Sequence, residues 1–435
     1  MCRDTCAGCD DGTVTTTAPF TTPLAASLAP DALQRFDRYV RINTESSRTN
    51  PGQTPSTPGQ WDLARLLADE LRGFGLDDVV LDDHCYVTAT LPGNVEGAPV
   101  IGVIAHIDTS EDAPGAGVEP IVHRAYDGGV IELPRGGTTL DPEAMPELAE
   151  KVGHDIVTAS GDTLLGADDK AGVTAIMTAV KRLAEDASLR RCTLRIAFTP
   201  DEEIGSLAGL LDLDAFGARC AYTIDGGELG ELAYESFSAR GATVTITGRE
   251  VHPGSAYGRM ANASRLLADV VAQLPSDRLT PDTTRDREGF IHVLAIEGAV
   301  ARASAELILR DFDNDLLDQH EQLLRDTVAQ VAARDPRATA TVDVVEQYSN
   351  MRAFIEHDPA VVEAAERAYR AEGIEPRALP IRGGTDGSAL SLRGLPTPNL
   401  FTGGYEFHSV REWASLHEIA ASAATIIRLA EEWTR

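Results

Sequence analysis

Residues 99–108 read PVIGVIAHID, an unbroken apolar run that stops at His106-Ile107-Asp108. A strand with one wet face alternates polar and apolar residues. A continuous run of this length suits a strand buried on both faces. The pattern therefore predicts a parallel or mixed α/β sheet. His106 and Asp108 stand two residues apart, on one side of an extended chain. In open α/β sheets, ligands bind beyond the carboxyl ends of the strands. The end of this run is the first place to look for chemistry.

Working outward, the same arrangement recurs. Thr193–Thr199 (TLRIAFT) runs into Pro200-Asp201-Glu202-Glu203. Ala221–Ile224 runs into Asp225-Gly226-Gly227, and Thr397–Phe401 into Thr402-Gly403-Gly404 with His408 following. Between them Val173, Ile176, Met177, Val180 and Leu183 mark one face of a helix. Asp168 and Asp169 lie at the turn just before it. Each piece has an ordinary reading: an Asp helix cap, a solvated acidic loop. A core strand needs no His, Asp or Glu at its end, however, and four strand ends deliver them. Two histidines and several carboxylates together suit two zinc ions bridged by one carboxylate.

From 237 to 349 the texture changes. Ala242–Thr247 (ATVTIT) alternates, as an antiparallel strand would. Helical and strand-like stretches follow, then the chain returns to the first pattern. The expected organisation is a mixed, mostly parallel sheet with helices on both faces over 31–236 and 350–435. An inserted α+β lid or dimerisation domain occupies 237–349. Residues 1–30, rich in Thr, Ala and Pro, read as a disordered tail.

Composition narrows the function. The 435 residues carry 68 acidic and 38 basic side chains, a formal charge of −30. A phosphate backbone would be repelled, so nucleic acid is a poor partner. No run reaches the roughly 18–20 apolar residues of a membrane span. All but three of the basic residues are arginine; the lysines are Lys151, Lys170 and Lys181. The six cysteines form no disulfide framework, and a reducing, cytoplasmic setting fits. Cys2, Cys6 and Cys9 have the spacing of some iron–sulfur ligand sets, against the plainer reading of an unstructured tail. The N-terminus does not read as a secretory signal.

The stretches IAHIDTS, TLLGADDKAG, FTPDEEIG, TIDGGELGEL, VHPGSA, IRGGTDGSALS and LPTPNLFTGGYEFH stand in this order between Ile104 and His408. They resemble the tripeptide aminopeptidases, the peptidase T group of the co-catalytic di-zinc metallopeptidase family. The resemblance runs from about Leu33 to the C-terminus. It implies that His106, Asp168 and Asp225 hold one zinc and that Asp168, Glu203 and His408 hold the other. Asp168 would bridge, Asp108 would orient His106, and Glu202 would be the general base. The resemblance also implies a cis peptide after Asp168. It makes His252 a donor to the substrate, reaching the site of a partner subunit in a homodimer. Arg382 would bind the substrate's terminal carboxylate through its planar guanidinium. Arg310 and Asn262 are further substrate-binding candidates on the lid. The expected substrate is a tripeptide. Two alternatives stand beside this reading: another di-zinc exopeptidase or N-acyl amino acid deacylase, and a metal-dependent scaffold without hydrolysis.

Overall fold

The computed structural model describes residues 20–435 apart from residues 51 and 207. In chain order the strands of its two principal sheets are β1 (Val80–Leu81), β2 (Val87–Leu91), β3 (Val100–His106), β4 (Thr193–Thr199), β5 (Cys220–Gly226) and β6 (Glu231–Ala233). Next come β7 (Ser238–Thr247), β8 (Phe290–Gly298), β9 (Arg302–Asp311) and β10 (Thr339–Tyr348). The last are β11 (Arg377–Ala378) and β12 (Asn399–Phe401). The main helices are α1 (Pro23–Val40), α2 (Gln60–Gly73), α3 (Ala167–Glu185), α4 (Ala263–Gln273) and α5 (Asn314–Ala332). They continue with α6 (Ala360–Ala371), α7 (Asp386–Leu392) and α8 (Leu416–Glu432).

The central sheet has the order β1-β2-β4-β3-β5-β12-β6-β11. Its inner strands β4, β3, β5 and β12 are mutually parallel, while β2 and β6 join antiparallel. The unbroken apolar runs are explained by burial on both faces. Ile101, Val103 and Ala105 of β3 pack beneath α1, α3 and α8. Ile104 faces the other way, into a cluster with Phe216 and with Leu390 of α7. Gly102 is needed there, because a Cβ would lie 2.7 Å from the Phe216 ring. Helices therefore cover both faces, and the fold is the mixed, mostly parallel α/β class expected.

The second sheet, β8-β9-β7-β10, is wholly antiparallel. Val244 and Ile246 of β7 point into a core with Leu267 and Val270 of α4 and Leu324 and Val328 of α5. Thr243 and Thr247, on either side of them, face water. This is the wet-face alternation read from ATVTIT. The unit forms a lid over the strand ends of the central sheet.

One boundary differs from expectation. α1 begins at Pro23, behind an N-cap in which Thr22 Oγ1 accepts from the Ala25 amide. Residues 23–30 are thus helical rather than part of a tail. Pro30 lies inside this helix, yet Leu28, Ala29, Ala32 and Phe36 are buried, and that packing outweighs the missing amide. Residues 1–19, including Cys2, Cys6 and Cys9, lie outside the described residues.

Candidate active site

β3 and β4 run in register, with His106 beside Thr199. This brings His106 against the turn that follows β4. Asp201 starts that turn in a left-handed conformation, φ 60°. Its buried carboxylate accepts from the Ser56 amide at 2.7 Å, Ser56 Oγ at 2.6 Å and Gln60 Nε2 at 2.6 Å. The turn is thereby pinned to the start of α2, and Glu202 and Glu203 are presented forward. Asp108 completes the junction. Its Oδ1 accepts from the Glu202 amide at 2.9 Å and its Oδ2 from the Glu203 amide at 3.1 Å. Asp108 Oδ1 also lies 3.4 Å from His106 Nδ1.

The opposite wall is the entry to α3. Glu412, almost fully buried, accepts from the amides of Leu165 and Gly166 at 2.7 Å each and of Asp168 at 3.0 Å. The Asp168–Asp169 peptide is cis, in keeping with the resemblance. Asp169 turns inward, accepting from the amides of His106 and Gly172. At Gly172 a Cβ would lie only 1.7 Å from the Ile224 carbonyl oxygen. Glycine thus lets α3 approach the end of β5, where Asp225 stands.

These walls bring five side chains together. Asp168 Oδ1 lies 2.9 Å from His106 Nε2, and its Oδ2 lies 3.2 Å from His408 Nε2. Asp225 is 3.6 Å from His106 Nε2, and Glu203 Oε2 is 2.9 Å from His408 Nε2. One carboxylate therefore faces two histidines, one through each oxygen, with a further carboxylate beside each. The group lines a cavity of about 340 Å³ together with Glu202, Gly205, Tyr348, Gly384, Thr385 and Phe407.

The electrostatics follow from crowding acids in a buried place. Burial pushes Glu203 and Asp225 up to about 7, helped by the charge of Asp168. Burial also lifts Glu202 well above the carboxylate range. His408 is raised to about 11 by Asp168 and Glu203. Burial opposes the charge on His106, but Asp108, Asp168 and Asp225 overcome it and raise its pKa. Burial would raise Asp168 too, but His106 and His408 overcome it and hold its carboxyl well below the usual carboxylate range, so acids pushed up by crowding surround one that stays ionised.

The donor set fits divalent metal. Ligand atoms of His106, Asp168 and Glu203 lie within 4.8 Å of one another, as do those of His106, Asp169 and Asp225. Glu203 Oε1 is buried without a hydrogen-bond partner. Imidazole nitrogens and carboxylate oxygens are ligands zinc accepts. His408 Nδ1 lies 3.4 Å from Asp112 Oδ2, a carboxylate behind the ring like Asp108 behind His106.

The remaining candidates stand elsewhere. His252 does not line the cavity of its own chain; its Nδ1 accepts from the Gly254 amide in an exposed turn. Asn262 caps α4, accepting from the Arg265 amide. Arg382 holds the lid to the sheet. Its guanidinium donates to the carbonyls of Thr284, Asp286 and Glu288 and packs over Phe237 and Phe290. Those bonds engage both terminal NH2 groups, so a two-pronged grip on a carboxylate would require releasing lid acceptors. Arg310 is half-buried beside Tyr348 at the cavity's lid side.

Sequence reasoning missed Glu412 and Tyr348. An isolated Glu four residues after His408 carries no pattern of its own. Tyr348 sits in a lid strand far from every motif. Only tertiary packing reveals either one.

The model of Peptidase family M20/M25/M40 matches residues 162–432. Peptidase T of Geobacillus kaustophilus is 44% identical, covering 92% of this chain and 97% of its own. Peptidase T of Vibrio parahaemolyticus is likewise 44% identical, with coverage of 92% and 97%. Among solved structures, aminopeptidase PepT of Bacillus cereus aligns with a TM-score of 0.73 at 23% identity, covering 94% of this chain and 99% of that one. The Bacillus subtilis YXEP protein, a dinuclear metal binding peptidase from the M20 family, aligns at 0.63 and 13% identity, covering 93% and 98%. The two structural likenesses speak for the fold. Taken with the site, the family match over more than half the chain and the close relatives along nearly all of it show that the chain belongs to peptidase family M20/M25/M40.

Proposed function

We propose that the protein is a zinc-dependent tripeptide aminopeptidase that releases the N-terminal residue of tripeptides. The observation that carries this reading is Asp168, with one oxygen toward His106 and the other toward His408. His106, Asp168 and Asp225 would hold one zinc ion and Asp168, Glu203 and His408 the second. When bound, the pair supplies Lewis-acid polarisation of the scissile carbonyl and acidifies water toward neutral pH. Asp108 keeps His106 in one tautomer and orientation. Glu202 takes the proton of the attacking water and returns it to the leaving amine. Burial raises its pKa, which favours proton uptake by a carboxylate acting as base.

The tripeptide assignment is supported by the names of the relatives and by the length of the matched chain. A homodimer through the lid is supported by β8, an edge strand on which Leu294 and Ile296 are exposed. No helix of the described residues is long and apolar enough to cross a membrane, and the cytoplasm is the proposed location.

The test is a matched substrate set: a dipeptide, a tripeptide, its tetrapeptide extension, its C-amidated form and its N-acetylated form. Chelator-sensitive cleavage of the free tripeptide is expected. Cleavage of the acetylated form alone would instead make the protein a deacylase. Cleavage of none would make it non-catalytic.

A further inference from the structure

The metal-site cavity receives one side chain from the lid sheet, Tyr348 at the end of β10. Its ring occupies a place made for it. A Cβ on Gly384 would lie 2.6 Å from the Tyr348 ring, so the second glycine of Gly383-Gly384 is what admits the phenol. Arg310 stands over the ring, with Cζ 5.2 Å from its centroid.

The positive charge of Arg310 faces this ring rather than a carboxylate. A guanidinium can only donate. Arg310 NH1 donates to the carbonyls of Arg240 and Leu309, and no carboxylate of the described residues pairs with it. No side chain or carbonyl of the described residues accepts the phenol hydrogen, and the ring lines the cavity. Glu202 lines the same cavity. The position thus offers a neutral donor, beside a half-buried cation and the group proposed to move the proton.

We propose that Tyr348 is a further catalytic residue, whose O–H donates a hydrogen bond to the substrate oxygen on which negative charge develops. The proton stays on Tyr348 throughout, and no covalent bond to it forms. A single neutral donor is a weak anchor for a permanent carboxylate. A preorganised donor gains strength as charge grows on the reacting carbonyl. Tyr348 would supply this within one chain, whereas His252 stands outside the cavity of its own subunit. The substrate named here rests on the tripeptidase reading; the role of Tyr348 does not depend on peptide length.

The experiment is Tyr348→Phe in the metal-loaded, full-length enzyme. The substitution keeps the ring against Gly384 and Arg310. We expect kcat to fall about 100-fold with KM, metal content and thermal midpoint little changed. A second reading uses a phosphinic tripeptide analogue, whose tetrahedral anion mimics the charged oxygen. Its affinity should weaken at least about tenfold, while affinity for the dipeptide product stays constant. A kcat within about twofold of wild type overturns the proposal, as does a raised KM at unchanged kcat. If wild type cleaves only another member of the substrate set, the tripeptide reading falls and the same comparison is made on that member. An enzyme inactive on every member overturns both.

Discussion

Asp108 and Glu202 are joined through the backbone: the Asp108 carboxylate accepts the Glu202 amide at 2.9 Å while its other oxygen holds Glu203. The acid behind His106 is thus also the acid that seats Glu202, the proposed base, and Glu203, a proposed ligand at the opposite metal position. Asp108→Asn would turn an NH2 toward one of those amides. We expect metal affinity to fall about 10- to 100-fold and kcat to fall with it. Titration calorimetry of zinc into the chelated enzyme reads the first effect separately from activity.

Glu202→Gln separates base from ligand. The change keeps volume and leaves the cluster of His106, Asp168, Glu203, Asp225 and His408 intact. Zinc content should match wild type, and kcat should drop by about 10²- to 10⁴-fold. Loss of one equivalent of zinc would place Glu202 among the ligands instead.

Glu412 is the least conspicuous part of the site and the most tightly engaged, with three amides of the α3 entry on one carboxylate. In Glu412→Gln one oxygen becomes a donor facing donors. A buried amide left unpaired costs about 1–3 kcal/mol. The expected outcome is a lower thermal midpoint in the metal-free protein and weaker zinc binding. A variant with wild-type stability and affinity would show that Asp168 is positioned without it.

Stability below neutral pH should depend on His154. Its Nδ1 lies 2.8 Å from Ser415 Oγ and its ring stacks on His417. Burial, then the charges of His417 and Lys151, push its pKa down to about 4 from an ordinary 6.5. The unfolded chain therefore binds the proton first as pH falls. Stability drops as pH falls from about 6.5 and levels off below about 4. In His154→Gln the thermal midpoint should decline less between pH 7 and pH 4 than in wild type. Parallel midpoint curves would remove His154 as a source of acid sensitivity.

The strand ends were legible because burial on both faces leaves an unbroken apolar run, and such a run makes its first polar residue conspicuous. His106, Asp225 and the Glu202-Glu203 pair stand out in this way. Arg382 was legible as a residue but not as a contact. Its partners, the carbonyls of 284–288, lie about a hundred positions away in a loop without pattern. The start of α1 was hidden for a related reason: Pro30 argues against a helix interior, and the Ala-rich residues before it continue a Thr- and Pro-rich stretch. Their burial beneath the C-terminal helix is a long-range fact. Tyr348 was hidden as well, being the end of a strand whose alternation concerns the lid core.

The two proposed metal positions draw on chain that is far apart in order of synthesis. His106 and Asp168 come early, whereas His408 and the Glu412 cradle come from the last part of the chain, just before α8 packs against α1 and α3. A nascent chain that lacks this segment has neither the second histidine nor the support for Asp168. On the proposed reading, hydrolytic competence is therefore withheld until this segment has been made, and a product truncated before it would be an inert protein rather than an uncontrolled peptidase.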